Sequence, residues 1–124
     1  MREIKFRAWD KINKDMFNVE SINFQERRVY KDTVSYRKFE DIDLMQYTGL
    51  KDKNNKEIYE GDILFESFGE RNYKVVFKNG SFRTEFEGYF DEYSFDLIDV
   101  VLDLCEIIGN IYENPELMEE WVND

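Results

Sequence analysis

The amino-terminal part of the chain alternates between apolar and polar side chains. Ile4, Phe6 and Ala8 occupy every second position, and a period of two is typical of a β-strand that buries one face. A polar turn at residues 10–15 separates this strand from a second apolar stretch at residues 16–24, where the apolar positions change phase as at a bulge or bend. We therefore predict that the chain opens with two β-strands.

The next stretch is charged and has no clear period. We expect residues 25–41 to form a mobile connection that contains one short strand near Val29 and Tyr30. Residues 42–47 are again strand-like, and the chain becomes polar soon after Thr48. This change of composition predicts a lobe boundary close to Thr48.

An Asn-Gly pair between two apolar runs is the clearest local signal. Asn79 and Gly80 suit the type I′ turn of a two-residue β-hairpin, with residues 73–78 and 81–86 as its strands. The register predicts these cross-strand pairs: Phe77 with Phe82, Val75 with Thr84 and Tyr73 with Phe86 on one face, and Lys74 with Glu85 on the other.

The residue pattern of the carboxy-terminal part of the chain predicts strands followed by a helix. Residues 97–112 offer one or two strands, with three isoleucines as core candidates: Ile107, Ile108 and Ile111. Asn114 has the character of a helix N-cap, because Pro115 follows at the first helical position. We predict a short helix at residues 115–122, which needs a surface to dock on because isolated short helices are marginal.

The composition supports a folded, mainly β domain. Aromatic residues make up 17% of the 124-residue chain, and aromatic and β-branched side chains favour strands over helices. We assign Trp9 and Tyr59 to the core. The single cysteine, Cys105, excludes an intrachain disulfide, and its apolar neighbours favour a buried, inert thiol in a reducing cytoplasm.

Three stretches of the chain are specific when they are taken together. They are Arg2–Asp10 (REIKFRAWD), Leu44–Ile63 (LMQYTGLKDKNNKEIYEGDI) and Glu106–Leu117 (EIIGNIYENPEL). Their occurrence in this order resembles the YopX family of phage and prophage proteins. The resemblance implies a phage or prophage origin and a central part similar to an SH3-like small barrel. It implies no activity, cofactor or catalytic residue.

The resembling stretches and the hydrophobic pattern together predict the organisation of the fold. We expect a mainly β protein with an N-terminal β lobe at residues 1–48, an SH3-like barrel region at residues 49–114 and a C-terminal helix at residues 115–124. These parts are expected to form one compact structural unit. Family members usually have Asn-Gly where this chain has Asn54-Asn55, and Asn tolerates the left-handed angles of such a turn.

The net charge of −11 is unevenly distributed. Residues 1–83 carry 17 basic and 15 acidic side chains, whereas residues 84–124 carry 13 acidic side chains and no basic one. A field of this sign repels polyanions, so nucleic-acid binding is the alternative hypothesis rather than the first. The hypothesis of nucleic-acid binding depends on one group of basic residues: Arg27, Arg28, Lys31, Arg37 and Lys38. A solvated face of mixed charge also explains this group. A related alternative is that the acidic residues 84–124 mimic the charge of DNA.

Catalytic chemistry has little support in this chain. There is no histidine, which excludes Ser-His-Asp and Cys-His catalysis and His-based zinc sites. Three carboxylate pairs could bind a cation or perform acid–base work: Asp41 with Asp43, Glu85 with Glu87, and Asp91 with Glu92. A solvated face explains such pairs in a chain with 28 acidic residues. We predict no enzyme activity, no metal and no cofactor. The apolar runs are too short to span a membrane, so we expect a protein of the bacterial cytoplasm.

Two sets of side chains are candidate contact residues. The acidic, aromatic stretch near residue 90 is the candidate surface for a host or phage protein: Tyr89, Phe90, Tyr93 and Phe95. The predicted terminal helix supplies candidates for self-association: Leu117, Met118 and Trp121. We predict a homo-oligomer, because the basic part of one copy complements the acidic carboxy-terminal part of another. The leading hypothesis is a non-catalytic binding or assembly module.

Overall fold

The computed structural model describes residues 3–67, 69–85 and 104–118, together with the backbone of residues 94–96. The fold is mainly β and includes a curled half-barrel sheet, so the predicted fold class is confirmed. Within the described ranges the strands are β1 (Phe6–Asp10), β2 (Asp15–Asn18), β3 (Ser21–Asn23), β4 (Arg28–Tyr30), β5 (Tyr36–Lys38), β6 (Ile42–Lys51), β7 (Glu57–Tyr59), β8 (Asp62–Glu66), β9 (Arg71–Lys78), β10 (Ser81–Glu85), β11 (Ser94–Asp96) and β12 (Cys105–Asn110). The chain divides into two compact units, Met1–Tyr47 and Thr48–Asp124.

Strand β1 is the centre of unit 1 and lies between β2 and β6, which are both antiparallel to it. Its last three residues, Ala8, Trp9 and Asp10, are all buried. Because successive side chains point to opposite faces of a strand, both faces of β1 are covered at this end. Trp9 is therefore a core residue, as predicted. Ile4 was expected in the strand but lies before it and is 60% exposed. The apolar cluster of this unit contains Ala8, Phe17, Val29 and Ile42.

The stretch at residues 25–41 is not the mobile connection that we expected. Together with β3 it forms a three-stranded antiparallel sheet in the order β3-β4-β5. Its turns are closed by polar side chains, since Asn23 accepts a hydrogen bond from the Glu26 backbone at 2.9 Å and Asp32 accepts one from the Ser35 backbone at 2.6 Å. Each strand is only three residues long, too short to produce a readable period in the sequence.

The larger sheet of unit 2 has the strand order β11-β10-β9-β8-β12 and is antiparallel throughout. Ile58, Leu64, Val75 and Cys105 form its apolar cluster. Burial, followed by the nearby carboxylates of Glu66 and Asp52, raises the pKa of the Cys105 thiol to about 11. The thiol is therefore protonated at neutral pH and inert, as its apolar neighbours predicted. Tyr59 is also buried, which confirms its assignment to the core.

The hairpin of β9 and β10 has the predicted register. Phe77 pairs with Phe82, Val75 with Thr84 and Lys74 with Glu85, whereas Phe86 lies outside the described residues. Asn79 and Gly80 have φ angles of 54° and 80°, as a type I′ turn requires. Phe77 is 52% exposed because it lies beside the turn. Its ring meets that of Phe82 edge-on at 5.1 Å between centroids.

Replacement of Gly80 by Ala tests this turn. Nothing lies within 4 Å of a Cβ built at Gly80, so the substitution introduces backbone strain without a steric clash. An L-residue at this left-handed angle costs about 1–2 kcal/mol. We expect urea denaturation to show that the free energy of unfolding falls by about 1 kcal/mol. Asn79→Ala is the comparison variant, because it places alanine at the neighbouring left-handed position, where a side chain is already present. An unchanged midpoint for Gly80→Ala would contradict the I′ geometry.

Strand β12 contains a β-bulge. Ile107 pairs with Leu64 and Gly109 with Ile63, so Ile108 has no partner across the strand pair. Ile108 is consequently 37% exposed, and its prediction as a core residue is wrong. Ile107 and Ile111 are half-buried. A Cβ at Gly109 would overlap the side chain of Asn114, which explains why the smallest residue is needed there.

The predicted terminal helix is, in the described residues, a single 3-10 turn at Pro115–Met118. The side chain of Asn114 does not cap it, because its Oδ1 accepts a hydrogen bond from the Asn110 backbone at 3.2 Å. Asn72 holds the turn from β9 by donating to the carbonyl oxygen of Leu117 at 2.8 Å. An Asn-Pro start does not distinguish one helical turn from a longer helix, and residues 119–124 lie outside the described part. In that part of the chain, no helix is long and apolar enough to cross a membrane.

Candidate partner-binding face

The contact residues predicted from the sequence are only partly within the described residues. Tyr89, Phe90, Tyr93 and Trp121 lie outside them. The backbone of Phe95 belongs to β11 and pairs with Thr84. Leu117 is half-buried and Met118 is 7% exposed. Both predicted surfaces therefore stay predictions.

A different surface stands out on the three-stranded sheet of unit 1. Its centre is Arg28, whose Cζ lies 4.2 Å from the centroid of the Tyr36 ring. Glu26 holds the same guanidinium from the side at 3.0 Å, and the rings of Tyr30 and Tyr36 are 5.7 Å apart. An arginine that is stacked and paired in this way keeps little rotamer freedom to lose when a partner binds.

The same sheet also presents exposed apolar side chains. Phe24 is 75% exposed and Val34 is 77% exposed. Phe24 meets Phe39 edge-on with centroids 6.1 Å apart, and the Cζ of Arg27 lies 5.3 Å from the Phe39 ring. We call this surface the arginine–aromatic face and define it by these residues: Phe24, Arg27, Arg28, Tyr30, Val34, Tyr36, Lys38 and Phe39.

Two shallow grooves run over the arginine–aromatic face. The smaller one has a volume of about 210 Å³ and is lined by basic side chains around Phe39, namely Arg27, Arg28 and Lys38, with Glu26 and Glu40 at its rim. The larger one has a volume of about 640 Å³ and is lined by Ile22, Phe24 and Tyr30 together with polar side chains that include Glu20 and Asp32. A basic groove beside a groove that contains Phe24 and Tyr30 suits a segment that carries both carboxylates and an aromatic side chain.

The basic group of the sequence is divided by the fold. Arg37 turns away to the buried carboxylate of Asp10 at 2.6 Å, and the Nζ of Lys31 lies 5.2 Å from the Phe17 ring. Among the described residues, Arg27 and Lys38 form no ion pair. Their charges therefore remain available to an anionic partner.

The carboxylate pairs provide no metal site in the described ranges, where no group of three or more His, Cys, Asp or Glu side chains could hold an ion. Asp41 belongs to a 3-10 turn and Asp43 to β6, so the two carboxylates do not belong to the same strand. Glu85 forms an ion pair with Lys78 at 2.7 Å. Glu87, Asp91 and Glu92 lie outside the described residues.

The sequence analysis missed two buried carboxylates that hold turns. In unit 1, Asp10 is fully buried and accepts hydrogen bonds from the Ile12 and Asn13 backbones, the Asn13 side chain and Arg37, at 2.6–3.0 Å. In unit 2, Asp52 accepts bonds from the backbones of Asn54, Lys56 and Ile107, each at 2.9 Å. Turn chemistry directly after Asp10 and Asp52 was the signal that could have identified them.

A family model described as YopX protein matches residues 5–119 of the chain. The chain belongs to the YopX family. The crystal structure of protein EF1440 from Enterococcus faecalis is similar to it, with a TM-score of 0.74 and 31% identity over 96% of this chain and 100% of that chain. A search of curated proteins finds no match. These findings confirm the resemblance and bring no activity with them.

The family match covers both the turn-holding carboxylates and the arginine–aromatic face, because it runs over residues 5–119. Asp10 and Asp52 lie inside the stretches that resemble the YopX family, and both act as anchors of the fold. The arginine–aromatic face, at residues 24–39, lies between the first and the second of these stretches. Sequence reasoning could name its basic residues but not their aromatic partners, because those contacts arise only when β3, β4 and β5 pair.

Proposed function

We propose that this YopX-family chain is a non-catalytic binding or assembly module that contacts a protein partner through the arginine–aromatic face. The supporting observation is the combination of Arg28 stacked on Tyr36 with exposed Phe24 and the available charges of Arg27 and Lys38. Arginine and aromatic side chains are enriched where protein interfaces bind most strongly. We place the activity in the cytoplasm of an infected or lysogenic bacterium, with a host or phage protein as the partner.

The rigidity of the face favours binding over catalysis. Arg28 is held by Glu26 and Tyr36 before any partner arrives, which lowers the entropy that binding must offset. A hydrogen bond to the Tyr30 side chain is the main cause that raises the pKa of Arg28.

Nucleic acid is the second candidate partner, and the Arg28–Tyr36 stack is the observation that favours it. Nucleobases stack on tyrosine rings and on guanidinium planes, and basic grooves follow the backbone. The net charge of −11 opposes this association, because phosphate contacts dominate nucleic-acid affinity. The related proposal, mimicry of DNA by residues 84–124, predicts binding to basic DNA-binding proteins and no binding to DNA.

A charge-reversal experiment tests the proposed face. The variant Arg27→Glu/Lys38→Glu removes its two available cations and leaves Arg28, Tyr30 and Tyr36 unchanged in sequence. We expect at least a tenfold loss in the recovery of specific partners from host lysate, measured by affinity purification and quantitative mass spectrometry, because like-charge contacts now oppose association.

The matched control is Lys11→Glu/Lys14→Glu. It makes the same charge change in the same unit, at exposed positions, and Lys14 shares the left-handed φ of Arg27, 58° against 59°. Recovery with the control should equal that of the parent chain, and equal recovery with all three proteins would contradict the proposal.

Titration with single-stranded and double-stranded DNA over a range of salt concentrations decides the alternative, since direct binding weakens steeply with salt.

A further inference from the structure

The last described residues of unit 2 form a fixed point for the segment that follows them. Met118 is 7% exposed, and the carbonyl oxygen of Leu117 accepts a hydrogen bond from Asn72 of β9. Residues 119–124 continue from this point. Their sequence is EEWVND, which combines three acidic side chains with Trp121 and Val122 and contains no basic residue.

The negative charges and the indole ring of this segment complement the cations and aromatic rings of the arginine–aromatic face. The face carries three cations, Arg27, Arg28 and Lys38. Arg28 is paired with Glu26, so Arg27 and Lys38 supply an excess of two positive charges. The terminal segment carries an excess of three negative charges. Carboxylates suit the groove beside Arg27 and Lys38. An indole ring can pack on Phe24 and Tyr30 in the larger groove.

The length of the segment also fits the face. Six extended residues span about 20 Å, and three paired strands are about 10 Å wide. The segment can therefore cross both grooves while its first residue stays attached to Met118. We propose that the arginine–aromatic face of one copy binds residues 119–124 of a second copy, an inference that rests on the proposed function of the face.

This contact joins different surfaces of two identical chains, so it is heterologous. Each copy then offers one face and one terminal segment, and the assembly grows head to tail, to a ring where the rotation between copies closes and to an open filament where it does not. The contact explains how a chain with a net charge of −11 can self-associate, because the local charges at the contact are opposite in sign.

Light scattering coupled to size exclusion tests the proposal on the full chain. The parent and the control Lys11→Glu/Lys14→Glu should both exceed the monomer mass of 15.1 kDa at tens of micromolar protein and about 0.1 M salt. The mass should fall in 1 M salt, where the Debye length shortens from about 10 Å to about 3 Å. The face variant Arg27→Glu/Lys38→Glu and the segment variants Glu119→Lys/Glu120→Lys and Trp121→Ala should shift to monomer. Circular dichroism identifies any variant that fails to fold.

A mixing experiment distinguishes this contact from other modes of assembly. The face variant keeps an intact terminal segment, and the Trp121→Ala variant keeps an intact face. The acidic segment of Trp121→Ala is repelled by the acidic face of the other variant. Two monomeric variants mixed in equal amounts should therefore form a dimer and nothing larger, because only one productive contact remains. A mixture that stays monomeric, or a face variant that keeps the parent mass, would overturn the inference.

The outcome for self-association is independent of the outcome for the proposed function. A parent chain that is monomeric under these conditions overturns the second copy as the occupant, including the case in which the segment binds the face of its own chain. The proposed function still holds in that case if Arg27→Glu/Lys38→Glu loses the host partner. It fails if partner recovery is unchanged, whatever the mass of the parent.

Discussion

Replacement of Asp10 by Asn is expected to lower the free energy of unfolding by about 3–5 kcal/mol, the range for breaking a buried charge pair. The Asp10 carboxylate is fully buried and joins the turn after β1 to Arg37 of β5 at 2.6 Å. An amide in its place leaves the Arg37 guanidinium without its counter-charge. Urea denaturation followed by fluorescence of the adjacent Trp9, with Trp121 replaced by Phe, measures the loss.

Asp15→Asn is the matched control, because Asp15 is exposed and lies directly opposite Asp10 in the strand pair. We expect its effect to stay within about 0.5 kcal/mol. Equal losses for the two variants would contradict the role of Asp10 as an anchor.

The effect of Asp10 also depends on pH. Burial raises the pKa of Asp10, but hydrogen bonds from the Asn13 backbone and from Arg37 outweigh it, so the pKa lies well below the ordinary value of 3.8. A lowered pKa in the folded state stabilises the protein above the ordinary pKa, and this contribution is lost as the pH falls below it. The difference between the parent and Asp10→Asn should therefore shrink when denaturation is repeated in acid.

Local features of the fold could be predicted from the sequence. The hairpin of β9 and β10 depends on Asn79-Gly80 and on alternation within a dozen residues, so its register followed directly. The turn at Asn54-Asn55 was predicted to accept left-handed angles, and Asn55 has a φ of 67°. Both predictions depend on contacts between residues that are close in the chain.

The features that were missed depend on residues far apart in the chain. Strand β4 has one fully buried residue, Val29, and its three-residue length hides any period. The Asp10–Arg37 pair spans 27 positions, and the hydrogen bond from Ile107 to Asp52 spans 55. Neither contact leaves a local pattern.

The same reason applies to the candidate face. Arg28 and Tyr36 are eight positions apart in the sequence and meet only when β4 and β5 pair. The sequence therefore indicated a basic group but could not show which cations remain available. The paired strands show that Arg37 forms an ion pair with Asp10. Arg27 and Lys38 form no ion pair among the described residues.

Replacement of Asp52 by Asn is expected to cost about 2–3 kcal/mol in unit 2. One carboxylate oxygen accepts hydrogen bonds from the Asn54 and Lys56 backbones, and the other accepts from the Ile107 backbone of β12. An amide group keeps one acceptor and turns an NH₂ toward the remaining N–H donor. Bonds to a charged group contribute about 1.5–3 kcal/mol each, so the loss of one bond and of the charge accounts for the effect.

Hydrogen exchange locates this loss in the structure. The amide of Ile107 should lose protection in Asp52→Asn, and protection should be retained in Glu106→Gln, the matched carboxyl-to-amide control beside it. In the described part of the chain, the side chain of Glu106 makes only long contacts, at 3.4 Å to Asn54 and 4.0 Å to Lys53, and such exposed pairs contribute little. Burial raises the pKa of Asp52, but the three backbone bonds bring it below 3.8, so protection at Ile107 in the parent should also fall as the pH drops below that value. Retained protection in Asp52→Asn would mean that the loop at residues 52–56 is held to β12 by other contacts, such as the backbone bond from Lys53 to Cys105 at 2.9 Å.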